Sequence, residues 1–211
     1  MLNVREQISQ LVRGEAPGPS PSFTTLHVVM ALLVLGDKGK LGRKKFTEEL
    51  GLGEGAVRTI INRLRKHSLA KVDRSGCSLT EKGRKLYEAL RNNISEFVEI
   101  NENMPWNYRH SIGMKVKDMA KFLKTGLEER DAAVRAGADA AMIITMREGS
   151  LLMPGVSNLS EEQPNFASKI MLSFTPSEGD VIIIAGSDDR VKALYGALAA
   201  AYELLEKAAR Q

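Results

Sequence analysis

The chain has 211 residues, 43% of them hydrophobic, and carries 30 Lys and Arg against 26 Asp and Glu. That length and composition suffice for two compact units with packed cores. A single cysteine, Cys77, excludes an internal disulfide and fits a reducing compartment; the start MLNVREQISQLV does not read as a signal peptide, and the apolar stretch Val28–Leu35 is too short to span a bilayer. The chain therefore reads as cytoplasmic, with no membrane partner.

In chain order, a short amphipathic helix at Val4–Val12 is followed by GEAPGPSPS, a linker by its Pro and Gly content. A helix at Thr25–Leu35 is apolar on all sides and therefore buried, and Gly36-Asp37-Lys38-Gly39 is expected to break it. His27 falls in this apolar helix and reads as a core residue with a satisfied nitrogen. Helical spacing returns at Gly42–Leu50 and Glu54–His67. A strand at Ala70–Asp73, the tight-turn signal Arg74-Ser75-Gly76, and a strand at Cys77–Leu79 come next. Thr80 reads as the N-cap of a helix running toward Asn92.

Beyond a polar connector over residues 93–108, strands alternate with helices. Strands are expected at Arg109–Val116, Ala140–Met146, Leu151–Met153 and Val181–Ala185. Helices are expected at Leu123–Ala136 and Asp188–Lys207, and the polar segment Gly155–Asn165 reads as a loop. This order argues for one small layered α/β or α+β domain.

Charge divides along the same line. Residues 1–90 hold sixteen Lys and Arg against nine Asp and Glu, and residues 91–211 hold fourteen against seventeen. A basic front half points to a polyanion partner, although a solvated surface gives the same imbalance. In Glu54–His67, Val57, Ile60, Ile61 and Leu64 form one apolar stripe. The other face presents Arg58, Thr59, Asn62, Arg63, Arg65 and Lys66, the residue types that read base edges and hold phosphates in a major groove. The preceding helix opens on Arg43, Lys44 and Lys45, and the link Gly51-Leu52-Gly53-Glu54-Gly55 is short and Gly-rich, as a helix-turn-helix requires.

The segment LGLGEGAVRTIINRLRKHSLAKVDRSGCSLTEKG resembles the winged-helix core of archaeal and bacterial transcription regulators, and its LTEKG ending is similar to MarR-like proteins. The whole layout resembles an archaeal winged-helix family whose C-terminal domain has no assigned function. The resemblance implies Glu54–His67 as recognition helix and Arg74 as wing tip. The expected fold class is α+β: an N-terminal helix and linker (residues 1–22), a winged helix-turn-helix domain (23–92), a connector (93–108) and a small α/β domain (109–211). The expected partner is double-stranded DNA. The candidate contacts are Arg43, Lys44, Lys45, Arg58, Thr59, Asn62, Arg63, Lys66 and Arg74.

For the back half, the free backbone N–H groups at Gly186-Ser187-Asp188 offer an anion or effector site, while Ser187 or Asp188 acting as a plain helix cap explains the same residues. The small residues Gly196–Ala201 suit either tight packing inside the domain or the seam of a homodimer. No metal-binding pair, catalytic constellation or cofactor motif is present, so neither metal, cofactor nor enzymatic activity is expected. The rival functions are a small-molecule-sensing, dimeric regulator, a winged helix fused to an enzyme as in some archaeal riboflavin kinases, and a protein adaptor that does not bind DNA.

Overall fold

The computed structural model describes residues 2–12, 22–101 and 104–210, the first four of these by backbone alone. Most of the expected Pro/Gly linker lies outside the described residues. The chain divides into two compact units, Met1–Arg91 and Asn92–Gln211. Among the described residues, no helix is long and apolar enough to cross a membrane.

The first unit contains α1 (Leu2–Val12), α2 (Thr25–Lys38), α3 (Arg43–Leu50), α4 (Glu54–Lys66), the strands β1 (Ala70–Asp73) and β2 (Gly76–Leu79), and α5 (Glu81–Arg91). Every residue of α2 from Val28 to Leu35 is buried. A helix without a polar face belongs at the centre of a bundle, and α1, α3 and α5 all pack on it. The expected break comes at the last residue of Gly36-Asp37-Lys38-Gly39: α2 runs on through Gly36 to Lys38 and ends at Gly39 with φ 77°. Tertiary contact overrides the weak helix propensity there. The Tyr87 ring lies where a Cβ on Gly36 would sit, 2.1 Å from its nearest atom, and the Tyr87 hydroxyl donates to Asp37 at 2.7 Å.

α3 ends on Gly51 in the left-handed region, φ 61°, and after two intervening residues α4 begins at Glu54. β1 and β2 pair antiparallel from Ala70↔Leu79 to Asp73↔Gly76, which leaves Arg74 and Ser75 at the tip. Leu41 adds a third rung by exchanging backbone hydrogen bonds with Cys77 at 2.8 and 2.9 Å. Thr80 caps α5 as expected, its hydroxyl accepting from Gly83 N at 3.1 Å and donating to the Ser68 carbonyl at 2.7 Å. A Cβ on Gly83 would stand 1.9 Å from the Leu69 carbonyl oxygen, so the closing glycine of LTEKG is what lets α5 meet the hairpin. Helix, helix, tight turn, helix and hairpin make a winged helix-turn-helix domain.

The second unit contains β3 (Val98–Glu99), β4 (His110–Val116), α6 (Leu127–Arg135), β5 (Ala140–Arg147), β6 (Ser150–Met153), β7 (Ser157–Asn158), α7 (Leu159–Glu162), α8 (Pro164–Phe174), β8 (Val181–Ser187) and α9 (Arg190–Ala208). Its sheet has the order β3-β4-β8-β5-β6-β7, and every ladder is antiparallel. β8 therefore lies between β4 and β5, which run parallel to each other with α6 in their connection. All seven residues of β8 are buried, as a central strand covered on both faces demands. On one face, Ile182 and Ile184 join Met142, Ile144, Met146, Ile170 and Phe174 in a cluster roofed by α8. On the other lie α6 and α9.

The segment 155–165 is not a plain loop. It holds β7 and α7, and Pro164 opens α8, an element absent from the sequence reading. The Gly196–Ala201 stripe packs inside the unit: a Cβ on Gly196 would lie 2.5 Å from the Ala138 Cβ and 3.2 Å from the Ala185 Cβ. Ala197, Ala200 and Ala201 have no exposed surface. The dimer-seam alternative for these residues is thereby replaced by α9 lying close on its own sheet.

Candidate nucleic-acid interface

The outward face of α4 follows from its buried stripe. Val57, Ile60, Ile61 and Leu64 turn inward, which leaves Gly55, Thr59, Asn62 and Lys66 at i, i+4, i+7 and i+11 along the opposite side, flanked by Arg58 and Arg65. All six are exposed. The Thr59 hydroxyl donates to the Gly55 carbonyl at 3.0 Å, so it is engaged within its own helix.

Arg63 is the exception among the expected contacts. Its guanidinium donates to the carbonyls of Leu11 and Val12 at 2.7 and 2.8 Å and lies 5.0 Å from the centre of the Phe23 ring. It satisfies the carbonyls left open at the end of α1, where a cation is also favoured by the helix dipole. This corrects its assignment as a base-reading residue: Arg63 fastens α1 to α4. Ile8 and Leu11 are fully buried, so α1 belongs to the winged-helix core and is not a separate appendage.

Arg43, Lys44 and Lys45 are exposed on the first turn of α3. Lys45 pairs with Glu48 at 3.6 Å and Glu49 at 3.4 Å, and Lys38 reaches Glu49 at 2.6 Å. Exposed pairs of this kind contribute little and exchange partners readily. The two lysines beside Glu49 hold its carboxyl below the ordinary carboxylate value against the opposing effect of burial.

The wing tip is fixed from outside the hairpin. Asp73 accepts from Ser75 N at 2.8 Å, from the Ser75 hydroxyl at 2.6 Å and from Lys40 Nζ at 2.7 Å, and Lys40 also reaches the Ser75 hydroxyl at 2.7 Å. The Lys40 ammonium and the Ser75 donors hold the Asp73 carboxyl well below the usual carboxylate range. Arg74 stays exposed at the tip. Lys40 has no signal in sequence, because its partner lies 33 positions away. Burial pushes the Cys77 thiol up to about 11, which makes it a protonated core residue at neutral pH.

The expected effector site at Gly186, Ser187 and Asp188 is closed by the chain itself. The helix starts later than expected, and Asp189 caps it, accepting from Val191 N at 2.8 Å and Lys192 N at 3.4 Å. Ser187 is buried and donates to Asp139 at 2.6 Å, while Asp188 accepts from Arg109 N at 3.1 Å. Gly186 lies under Trp106, whose indole nitrogen would be 2.5 Å from an added Cβ. The Val191 and Lys192 amides at the helix start already have the Asp189 carboxylate, and the Asp189 amide has the Ser187 hydroxyl at 3.2 Å, which corrects this assignment.

Two family models match the chain: "PH0730-like, N-terminal domain" over residues 25–85 and "Domain of unknown function (DUF4443)" over residues 108–204. The chain is similar to the solved structure of the hypothetical protein PH0730 from Pyrococcus horikoshii OT3, with 30% identity, 88% of this chain and 95% of that one covered, and a TM-score of 0.71. A MarR family protein of Mycobacterium tuberculosis matches at 19% identity over 43% of this chain and 64% of its own, TM-score 0.31. A MarR/EmrR family transcriptional regulator from Acinetobacter sp. ADP1 matches at 19% identity over 43% of this chain and 63% of its own, TM-score 0.29. The chain thus spans somewhat under two thirds of the length of either MarR protein. No curated protein matches.

Proposed function

From the geometry of α4 we propose that the chain, which belongs to the family of the Pyrococcus horikoshii protein PH0730, is a DNA-binding transcription regulator. The carrying observation is the exposed outer face of α4, where Arg58, Asn62, Arg65 and Lys66 stand opposite a fully apolar inner stripe. Asparagine and arginine in such a face match the donor and acceptor patterns of base pairs in the major groove. Arg43, Lys44 and Lys45 on α3 and Arg74 on the wing are placed to hold phosphates, contacts that set register without reading sequence.

The reading is of a cytoplasmic binding protein, not an enzyme. It includes two copies per operator, because one winged helix covers only a short half-site. No residue set is assigned to a small-molecule effector. The test is a titration of the full chain against random-sequence duplex at about 50 and about 200 mM salt. Lys and Arg on phosphates displace counterions, so with several phosphate contacts affinity should fall by orders of magnitude between the two. Binding that ignores salt, or none at the lower salt, would refute the proposal.

A further inference from the structure

Gly55 lies in the first turn of α4, at the head of the stripe it shares with Thr59, Asn62 and Lys66. Nothing comes within 4 Å of a Cβ built on it, and its φ is not in the left-handed region. Most other described glycines have an internal reason to be glycine. One group has positive φ. Gly36, Gly83, Gly113, Gly186 and Gly196 would place a Cβ within 2.5 Å of a neighbour. Gly42 and Gly53 also have open space and ordinary φ, but they precede α3 and α4 as N-caps, where glycine does not carry the cost it has inside a helix.

Gly55 is the one described glycine inside a helix with neither a crowded Cβ site nor a positive φ. Glycine inside a helix also weakens it relative to alanine, through backbone entropy. A residue that costs stability, with nothing in the fold requiring it, points to something outside the chain.

We propose that Gly55 is the point of closest approach between α4 and duplex DNA, where the missing side chain lets the helix backbone enter the major groove to contact distance. The inference rests on the DNA-binding reading and deepens it. With Gly55 leading the stripe, the first turn of α4 lies deepest in the groove, and Asn62 and Lys66 follow one turn apart. A side chain at position 55 would hold the helix off the bases and lengthen the contacts made by Asn62 and Arg58 together.

The test uses the full chain and a duplex that the unaltered protein selects from a random-core pool. Affinity is read by anisotropy and stability by thermal melting, for the unaltered chain, Gly55→Ala and Gly55→Leu. Gly55→Ala should raise the Tm by about 2–4 °C, because an ordinary helix former replaces glycine at no steric cost. The same change should weaken binding by about tenfold or more, the loss expected when a base contact is pulled out of reach, and Gly55→Leu should weaken it further.

Affinity equal to that of the unaltered chain in both variants overturns the inference and leaves the DNA reading standing. A Tm that falls together with affinity makes Gly55 a structural residue and also overturns it. Failure of the unaltered chain to select or bind any duplex removes the DNA reading itself.

Discussion

His27 holds the start of α2 through a nitrogen that must stay unprotonated. Its Nδ1 accepts from Thr24 N at 3.0 Å, the reciprocal half of a capping box in which Glu or Gln is the usual residue. The sequence reading of a satisfied nitrogen is correct, but the ring is only partly buried in the first turn of α2, not in the core, and its partner is the local cap. Burial holds the ring below its ordinary value. The unfolded chain therefore binds the extra proton first, and stability fully present above about pH 6.5 is lost as pH falls below that value toward the lower one of the folded ring. Protonation turns the acceptor into a donor, and loss of such a cap costs about 1 kcal/mol. Melting curves from pH 7.5 to pH 5 should show a steeper loss for the unaltered chain than for His27→Gln, which keeps an acceptor that does not titrate. Parallel losses would contradict the role assigned to the ring. Arg63 separates two kinds of residue on one helix in the same way. Arg63→Met should loosen α1 and lower the Tm, while the base preference of the bound duplex stays unchanged. A change in base preference would return Arg63 to the reading face.

Elements differ in how legible they are in the sequence, and the reason is whether their signal is local. α4 was readable because its apolar stripe and polar face repeat with helical period, and the hairpin because Arg74-Ser75-Gly76 interrupts two short runs. The extension of α2 through Gly36 was not readable, since it depends on Tyr87 and Arg91 from α5 meeting Asp37. α8 is hard to read from the sequence although Pro164 stands at its first position and Ala167, Ile170 and Phe174 recur with helical spacing. The polar residues before it made the whole stretch look like loop, and its apolar face makes sense only against the sheet. At the candidate interface, the exposed face of α4 was legible, but the inward turn of Arg63 and the tie from Lys40 were not, because both depend on distant partners. Contact between α5 and the hairpin rests on Gly83. Gly83→Ala should destabilise the first unit by about 1–3 kcal/mol, since the Leu69 carbonyl is backbone and cannot swing aside. Chemical denaturation gives the value; an unchanged midpoint would mean that the helix can shift freely.

The whole molecule joins a winged helix to a unit whose sheet is covered on both faces. α9 is internal to that unit, so Ala200→Arg, which forces a long cation into a site with no exposed surface, should destroy the second unit's helix signal in circular dichroism. A well-folded monomer from this variant would instead revive the seam between copies. The most direct test of the central claim compares Asn62→Ala with Arg74→Ala on the duplex that the full chain selects, with every base pair varied in turn. Asn62→Ala should relax discrimination at one or two adjacent base pairs by about 1–3 kcal/mol and leave the others as they were. Arg74→Ala should weaken all sequences about equally and lower the salt slope by about one. Uniform loss from Asn62→Ala, or a base-specific loss from Arg74→Ala, would contradict the assignment of α4 as reader and the hairpin as backbone clamp.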